Sequence, residues 1–504
     1  MVLVVVIVYP NYLTAMGKNR ISCLKISLIL GHVTAMSTEK TFAGLDFGTS
    51  GARVSIVSSS LEELHTDSIL WSESYPYDDP QAWIFALETL LESVEKASLK
   101  AICVSGTSAS CVLIDGRGRA SRRARMYDYS VMSKGSEIDI NGIKAMEWLE
   151  RFAPPKHTTL AQTSSLAKLI SWHMESKIQN HERLAHQADF VTRYLMSEDP
   201  RCGAGVNANM QTVTSDWHNC LKLGFDVKTL EWPSWLLDLL HSVNISSHTL
   251  PQRVVSPGEV IGCISSSISK KFNLPPIVQV VGGTTDSNAA FMAATTGLGE
   301  TRAGTAVTSL GSTLAIKLLS DAFIEDAIRG VYSHRFPDYS HGPPRWLVGG
   351  ASNVGCAVLR QQDFGAEELK TLSAQIDPTN DSPLYYYPLT KRGERFPIAD
   401  ANQEPVLEPK PANRKEYLHG LLQGIARVEC DGFKALTELG ADHPKLVYSC
   451  GGGSQNGMWT IMRQRMLNQA FQLEQNTIQV AKAANTEASY GAAVLAASSF
   501  TQRV

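Results

Sequence analysis

The sequence predicts an α/β fold made of two similar lobes, and three observations carry that expectation. Short apolar runs with strand-like alternation are separated by Gly-, Ser- and Thr-rich turns and interleaved with segments of helical periodicity. The stretch DFGTSGARVSI, from Asp46, returns as SLGSTLAIKLL, from Ser309, each time a Gly-hydroxyl turn between two alternating strands. The chain has 504 residues, and a soft prior of about 150 residues per domain gives two or three domains. The echo involves only a few small residues, so chance similarity between two turns is its alternative.

The elements follow in order. Phe42 to Asp46 begins a strand, GTSG turns the chain, and ARVSIVSS alternates up to a break at Leu61 to Leu64, which predicts a β-hairpin. Asp79 and Pro80 open DPQAWIFALETLLESVEKA, where Trp83, Leu87, Leu90, Leu91 and Val94 recur at helical spacing behind an N-cap. Leu99 to Ser105 reads as a strand, GTSAS as a turn and CVLID as another strand. Leu166 to Met174 and Ile178 to Ala185 read as helices, Pro276 to Gly282 as a buried strand, and Ser287 to Thr296 as a small-residue helix.

Composition narrows the function classes. Hydrophobic residues make up 43% and charged residues 19%, with a formal net charge of −3, as in a globular protein with no surplus of cations for a nucleic-acid backbone. The densest basic cluster, Arg117, Arg119, Arg122, Arg123 and Arg125, is either a sugar-phosphate grip or a solvated loop. Nine cysteines without a CxxC pair or zinc spacing read as reduced thiols.

The opening MVLVVVIV is too short to span a bilayer, which takes about 20 apolar residues. From Met1 to Thr38 there is no Asp or Glu, while Lys18, Arg20 and Lys25 are present. That bias suits an organelle transit peptide; a free tail and a start at Met36 are the alternatives.

Four motifs carry chemistry. In DFGTSG, Asp46 ends a strand, and the backbone N–H groups of the following turn can approach phosphate. Asp46 is therefore either a Mg²⁺ ligand beside those phosphates or a plain turn residue. SLGST, from Ser309 to Thr313, offers a second hydroxyl-rich hairpin, and two such hairpins can clamp a nucleotide's β- and γ-phosphates without a Walker lysine. No GxxxxGK[ST] is present, nor a Gly-rich turn followed by a kinase-type HRD or DFG set.

In GGTTD, Asp286 follows a buried strand. It is either a general base whose pKa is raised by desolvation or the N-cap of the helix that follows. CGGGSQNG, from Cys450, lies between a strand and the helix MWTIMRQRML, and its glycines let adenine or phosphate lie against backbone.

DFGTSGAR, SLGST, GGTTD and CGGGSQNGMW resemble the motifs of the FGGY carbohydrate kinases, over about residues 41 to 500. SDWHNCLKLGFD, LPQRVVSPGEVIG and the closing EASYGAAVLAA agree with that family. The resemblance implies two actin-like, ribonuclease H-like domains with a cleft between them. It divides the chain into a tail over 1–40, an N-terminal sugar- and phosphate-binding domain over 41–288 and a C-terminal ATP-binding domain over 289–504.

It further implies ATP with Mg²⁺, with Asp46 as metal ligand and substrate contact. Asp286 would be the base that deprotonates a terminal sugar hydroxyl. Gly48, Thr49, Ser50 and Arg53 would form the first phosphate loop, Gly311, Ser312 and Thr313 the second, and Gly451, Gly452, Gly453 and Asn456 would face adenosine.

The sugar side departs from typical xylulose and glycerol kinases. VSGTSAS (104–110) and RMYDYS (125–130) stand where those carry an SGQ-type turn and a Trp- and Arg-bearing segment. Ser108 and Asp128 are the candidate substrate contacts, each with a turn role as its alternative. GTSAS, SDWHN and GERFP (393–397) look most like a plant and cyanobacterial xylulose-kinase-like subgroup linked to D-ribulose.

The expectation is thus a monomeric D-ribulose kinase of the chloroplast stroma, with the cytosol as second choice and neither nucleic acid nor membrane as partner. D-xylulose kinase is the alternative substrate reading. An ATP-binding protein of the same fold without sugar kinase activity is the alternative class.

Overall fold

The computed structural model describes residues 39–501 apart from 95, 134, 198–211, 297–300, 338–341 and 473–476. Residues 1–38, which carry the transit-peptide, free-tail and Met36-start expectations, lie outside the described residues. Glu39 onward forms one compact unit.

β1 (Thr41–Phe47) and β2 (Gly51–Ser58) make the expected hairpin, with Asp46 opposite Arg53. β3 (Glu63–Leu70) adds antiparallel to β2. Most of β3 faces solvent, so its sequence lacks the apolar alternation that marks a half-buried strand. β4 (Leu99–Gly106) runs parallel to β1.

β5 (Cys111–Ile114) and β6 (Arg183–His186) form an antiparallel pair, and β7 (Thr214–Asp216) and β8 (Arg253–Val255) a parallel one. The helix expected over 178–185 is not formed. Its second half is β6, held by the ladder to β5, and the helix Gln187–Leu195 begins only after His186, where the Asp189 carboxylate caps the chain.

β9 (Val260–Cys263), β10 (Gln279–Val281) and β11 (Thr284–Thr285) complete a first sheet of order β3-β2-β1-β4-β10-β9, with β11 beside β4. A second sheet contains β12 (Thr305–Leu310), β13 (Leu314–Ser320), β14 (Tyr332–Arg335), β15 (Trp346–Ser352), β16 (Leu446–Cys450) and β17 (Gln479–Lys482). Its order is β14-β15-β13-β12-β16-β17.

The echo of two hairpins is therefore an echo of two sheets. In the first, antiparallel β3-β2-β1 is extended by parallel β4 and β10; in the second, antiparallel β15-β13-β12 is extended by parallel β16 and β17.

Helices cover both faces of the first sheet. Asp79 accepts the Gln81 N–H and caps the helix Pro80–Ser93, whose Trp83, Leu87, Leu90 and Leu91 pack with Leu45, Phe47 and Val54. Each such fully buried apolar side chain contributes about 1.5–3 kcal/mol.

The helix Ala488–Thr501 lies on the opposite face. A Cβ on Gly44 would sit 2.0 Å from the Ser489 carbonyl oxygen, and one on Gly491 would sit 1.8 Å from that of Ala289 in the helix Asp286–Thr295. Small residues here let backbone touch backbone. The boundary expected at 288/289 thus falls inside the helix 286–295, and the last helix of the chain packs on the first sheet.

The seven described cysteines are free thiols. Among the described residues no helix is long and apolar enough to cross a membrane.

Candidate active site

β1, β4 and β11 lie side by side in parallel, with both Asp46 and Thr284 paired in register with Ser105. Asp46 and Asp286 therefore leave the sheet at one edge, the carboxyl ends of parallel strands, where open α/β sheets bind ligands. Asp46 is 4% exposed, and the Ser105 hydroxyl donates to its Oδ1 at 2.6 Å. Burial, aided by the charge of Asp286, pushes the Asp46 pKa up to about 7, while Ser105 and Arg53 oppose that rise. Arg53 also reaches Glu487, Nε to Oε2 at 3.6 Å.

The first turn is tied from both sides. Gly48 N–H donates to the Gly51 carbonyl at 2.9 Å, and the Trp71 indole N–H donates to the Gly48 carbonyl at 2.9 Å. A side chain at Gly51 would strike the Ile69 carbonyl oxygen at 2.1 Å. Thr49 and Ser50 are left exposed at the tip.

Asp286 is the first residue of the helix 286–295, whose N-cap is Thr285, so it does not fill the capping position weighed from sequence. Its carboxylate keeps solvent access while ringed by protein, and its Oδ1 accepts the Ser287 N–H at 2.7 Å. Burial raises its pKa; the Ser287 amide, Lys317 and Lys222 hold it down.

Lys317 comes from β13 and donates to Ser287 Oγ at 3.1 Å and to Asn288 Oδ1. Lys222 comes from the short helix Leu221–Leu223. Tyr127 feels both Asp128 and Asp286, which together with burial raise its pKa.

The second hairpin is anchored by Leu314 N–H to the Val354 carbonyl at 2.7 Å and Cys356 N–H to the Gly311 carbonyl at 2.9 Å. The Ser312 hydroxyl accepts from Arg360 Nη2 at 3.0 Å. Gly311, Ser312, Gly452, Gly453 and Asn456 line one cavity of 980 Å³.

Gly451 has φ 78°, and a Cβ there would lie 2.8 Å from the Leu310 carbonyl oxygen, so it shapes the turn that supports this wall. The Asn456 amide is committed to protein, accepting the Trp459 N–H at 3.1 Å and donating to Ser373 Oγ at 2.8 Å. It borders the cavity as the cap of the helix Gly457–Phe471.

On the sugar side, Ser108 is half-buried and Asp128 exposed, on two loops fastened by one buried cation. Lys168 Nζ donates to the Ala109 carbonyl at 2.9 Å and to the Met126 carbonyl at 2.7 Å. The basic cluster is largely occupied: Arg119 pairs with Asp115, Arg122 with Glu182, Arg123 with Asp78 and Arg125 with Glu175.

Residues 303–500 match the C-terminal domain of the FGGY family of carbohydrate kinases. The chain is also 22% identical over 430 residues, 82% of each chain, to a xylulose kinase of Klebsiella pneumoniae. The C-terminal region of this protein, residues 303–500, belongs to the FGGY family.

The protein is an ATP-dependent sugar kinase. The fold agrees with solved FGGY structures of the actin-like class. A gluconate kinase from Lactobacillus acidophilus superposes with TM-score 0.69 at 16% identity, covering 92% of this chain and 90% of that one. A xylulose kinase from Rhodospirillum rubrum gives 0.67 at 21%, covering 91% and 89%, and the glycerol kinase of Plasmodium falciparum with ADP gives 0.68 at 15%, covering 92% and 90%.

Sequence reasoning missed Lys222, Lys317, Tyr127 and Arg360. Two carried a visible signal: Lys317 interrupts the apolar alternation of LAIKLL, and Lys222 sits within SDWHNCLKLGFD.

Proposed function

We propose that this FGGY kinase transfers the γ-phosphoryl group of ATP to the terminal hydroxyl of a pentulose, D-ribulose first. The observation that carries this reading is the convergence on Asp286 of the first hairpin's strand, through Asp46, and the second hairpin's strand, through Lys317.

Asp286 takes the proton of the sugar hydroxyl as its oxygen bonds to the γ-phosphorus. The bond from phosphorus to the β,γ-bridging oxygen breaks, and ADP leaves with that electron pair. In this reading the turn amides of Thr49 and Ser50 and those of residues 311–313 face the phosphates, and the cavity over Gly452 and Gly453 takes the adenosine.

Asp46 fits a Mg²⁺ site: a buried carboxylate with one oxygen fixed by Ser105 and its charge unfavourable until a cation arrives. Among the described residues there is no group of three or more His, Cys, Asp or Glu suited to a metal, so nucleotide phosphates and water would supply the other ligands. When bound, Mg²⁺ neutralises charge on the phosphates.

D-ribulose rests on the GTSAS, SDWHN and GERFP stretches, which depart from typical xylulose kinases. D-xylulose is the second reading, favoured by the Klebsiella relative's activity. The test mixes residues 36–504 with ATP, Mg²⁺ and D-ribulose, D-xylulose, L-ribulose or glycerol, following ADP and sugar phosphate separately. Sugar phosphate matching ADP with D-ribulose is expected; ADP without sugar phosphate across the panel overturns the kinase assignment.

A further inference from the structure

Among the groups around Asp286, Lys317 takes no part in the transfer step itself. Lys317 is the fourth residue after Thr313 of the second hairpin, on a strand, LAIKLLS, that is otherwise apolar up to its closing Ser320. Its ammonium crosses from the second sheet to the helix 286–295. There it donates to Ser287 Oγ at 3.1 Å and to Asn288 Oδ1, the two residues directly after Asp286.

A long cationic side chain placed among apolar neighbours loses hydration and rotamer freedom. Two side-chain oxygens of neutral residues compensate little of that cost, whereas an adjacent carboxylate does. The same geometry holds the helix start that aims Asp286, because both hydrogen bonds fall within its first turn.

We propose that Lys317 is a positioning residue of the phosphoryl-transfer site, the cation that the second hairpin's strand delivers to the base Asp286. The inference rests on the proposed role of Asp286.

The other groups around the carboxylate do not replace it. Asp46, from β1, is an anion whose own ionisation Asp286 disfavours. Tyr127, from the loop after β5, is neutral, its pKa raised. Lys222 is a second cation, but a weaker influence on Asp286 than Lys317. His218 and His334 face Lys317 and are kept neutral by burial.

Burial pulls the Lys317 pKa down to about 7 while the charge of Asp286 holds it up, so the ammonium is present through the acidic range and there keeps Asp286 ionised, ready to accept a proton, to lower pH. Removing the cation moves the protonation of Asp286 upward, by about 1–3 pH units for an opposite charge at close range.

The test compares Lys317→Met, Lys317→Gln and Lys317→Arg with wild type by two readouts. One is the pH profile of kcat/KM for D-ribulose. The other is the NMR titration of the Asp286 carboxyl carbon, assigned by its loss in Asp286→Asn.

In Lys317→Met and Lys317→Gln the acidic limb and the carboxyl midpoint should both rise by about one unit or more, with kcat/KM at least about tenfold lower at pH 6 and little changed at pH 9. Lys317→Arg, which keeps the charge, should titrate like wild type. Lys317→Gln retains a hydrogen-bond donor to Ser287 and Asn288 and carries the test if Lys317→Met does not fold. An Asp286 midpoint unmoved in either folded neutral variant overturns the proposal. If wild type phosphorylates no sugar, the kinase reading fails, while the carboxyl titration still decides the role of Lys317.

Discussion

Glu429 and Arg463 form a two-point ion pair shut off from solvent, with Arg463 Nε 2.6 Å from Glu429 Oε2 and Nη2 2.6 Å from Oε1. Glu429 belongs to the helix Arg414–Glu438 and Arg463 to the helix 457–471. Beneath them Thr308 and Ser449, register partners on β12 and β16, complete the network, Thr308 donating to Glu429 at 2.6 Å and Arg463 donating to Ser449 at 2.7 Å. The pair thus locks the two helices beside the 980 Å³ cavity to the strands beneath them.

Breaking one side of such a pair leaves an uncompensated buried charge. Glu429→Ala should therefore lower stability by about 3–5 kcal/mol, whereas the double change Glu429→Met with Arg463→Met should cost much less. Urea unfolding of the three proteins checks this. Equal losses in the single and double variants would show that packing, not charge, dominates the site.

Asp46 illustrates how a functional carboxylate weighs on the fold. Its pKa is raised from 3.8 to about 7, chiefly by burial. Its contribution to stability is therefore complete below about pH 4 and is lost as pH rises through about 7. At pH 8 the ionised group strains the apo protein. Asp46→Asn, which can keep the bond from Ser105, should raise the melting temperature at pH 8 by a few degrees, on the order of 1 kcal/mol or more, and give no gain at pH 4. Sugar phosphorylation should fall by about 10²-fold or more. A lower melting temperature at pH 8 would contradict the electrostatic account.

The two hairpins, both acids and the glycine cluster were legible because turns and strand ends have local signatures: Asp46 lies at the end of apolar β1, Asp286 comes shortly after buried β10, and Gly451 to Gly453 punctuate a strand-to-helix junction. Lys168, Lys222 and Lys317 were not, since their roles depend on what folds against them from residues far away in sequence. β6 was misread as helix for the same reason, its ladder partner β5 lying about 70 residues earlier. The packing of helix 488–501 on the first sheet and on helix 286–295 rests on backbone contacts at Gly44 and Gly491, which no periodicity announces.

Lys168 ties together the two loops that carry Ser108 and Asp128. It is fully buried, and its ammonium bridges the carbonyls of Ala109, held at φ 65°, and Met126. Those residues directly neighbour Ser108 and Tyr127, so freeing the carbonyls should loosen both loops at once. Lys168→Met is expected to raise the KM for D-ribulose about tenfold, to leave the KM for ATP within about twofold, and to lower stability by about 1–3 kcal/mol, the cost of stranding a buried polar group. Steady-state kinetics with each substrate varied separately decides this. A rise in both KM values would mean that the lesion spreads beyond the sugar side.

Gly453 and Gly452 separate what the fold requires of the nucleotide cavity from what ATP requires. A Cβ on Gly453 would lie 2.6 Å from the Trp459 ring, 2.8 Å from Leu310 Cβ and 3.2 Å from Cys356 Sγ. Trp459 is 1% exposed and its indole N–H donates to the Leu422 carbonyl at 3.0 Å, so the ring has nowhere to retreat. Gly453→Ala should therefore cost about 1–3 kcal/mol of stability by overpacking and raise the KM for ATP as the wall shifts. A Cβ on Gly452, by contrast, meets nothing within 4 Å, because it points into open space along the same cavity. Gly452→Ala should melt like wild type yet bind ATP at least about tenfold more weakly if adenosine lies over that backbone. An unchanged ATP affinity in Gly452→Ala would place the nucleotide elsewhere in the cavity, and a melting temperature in Gly453→Ala equal to wild type would show that Trp459 can yield.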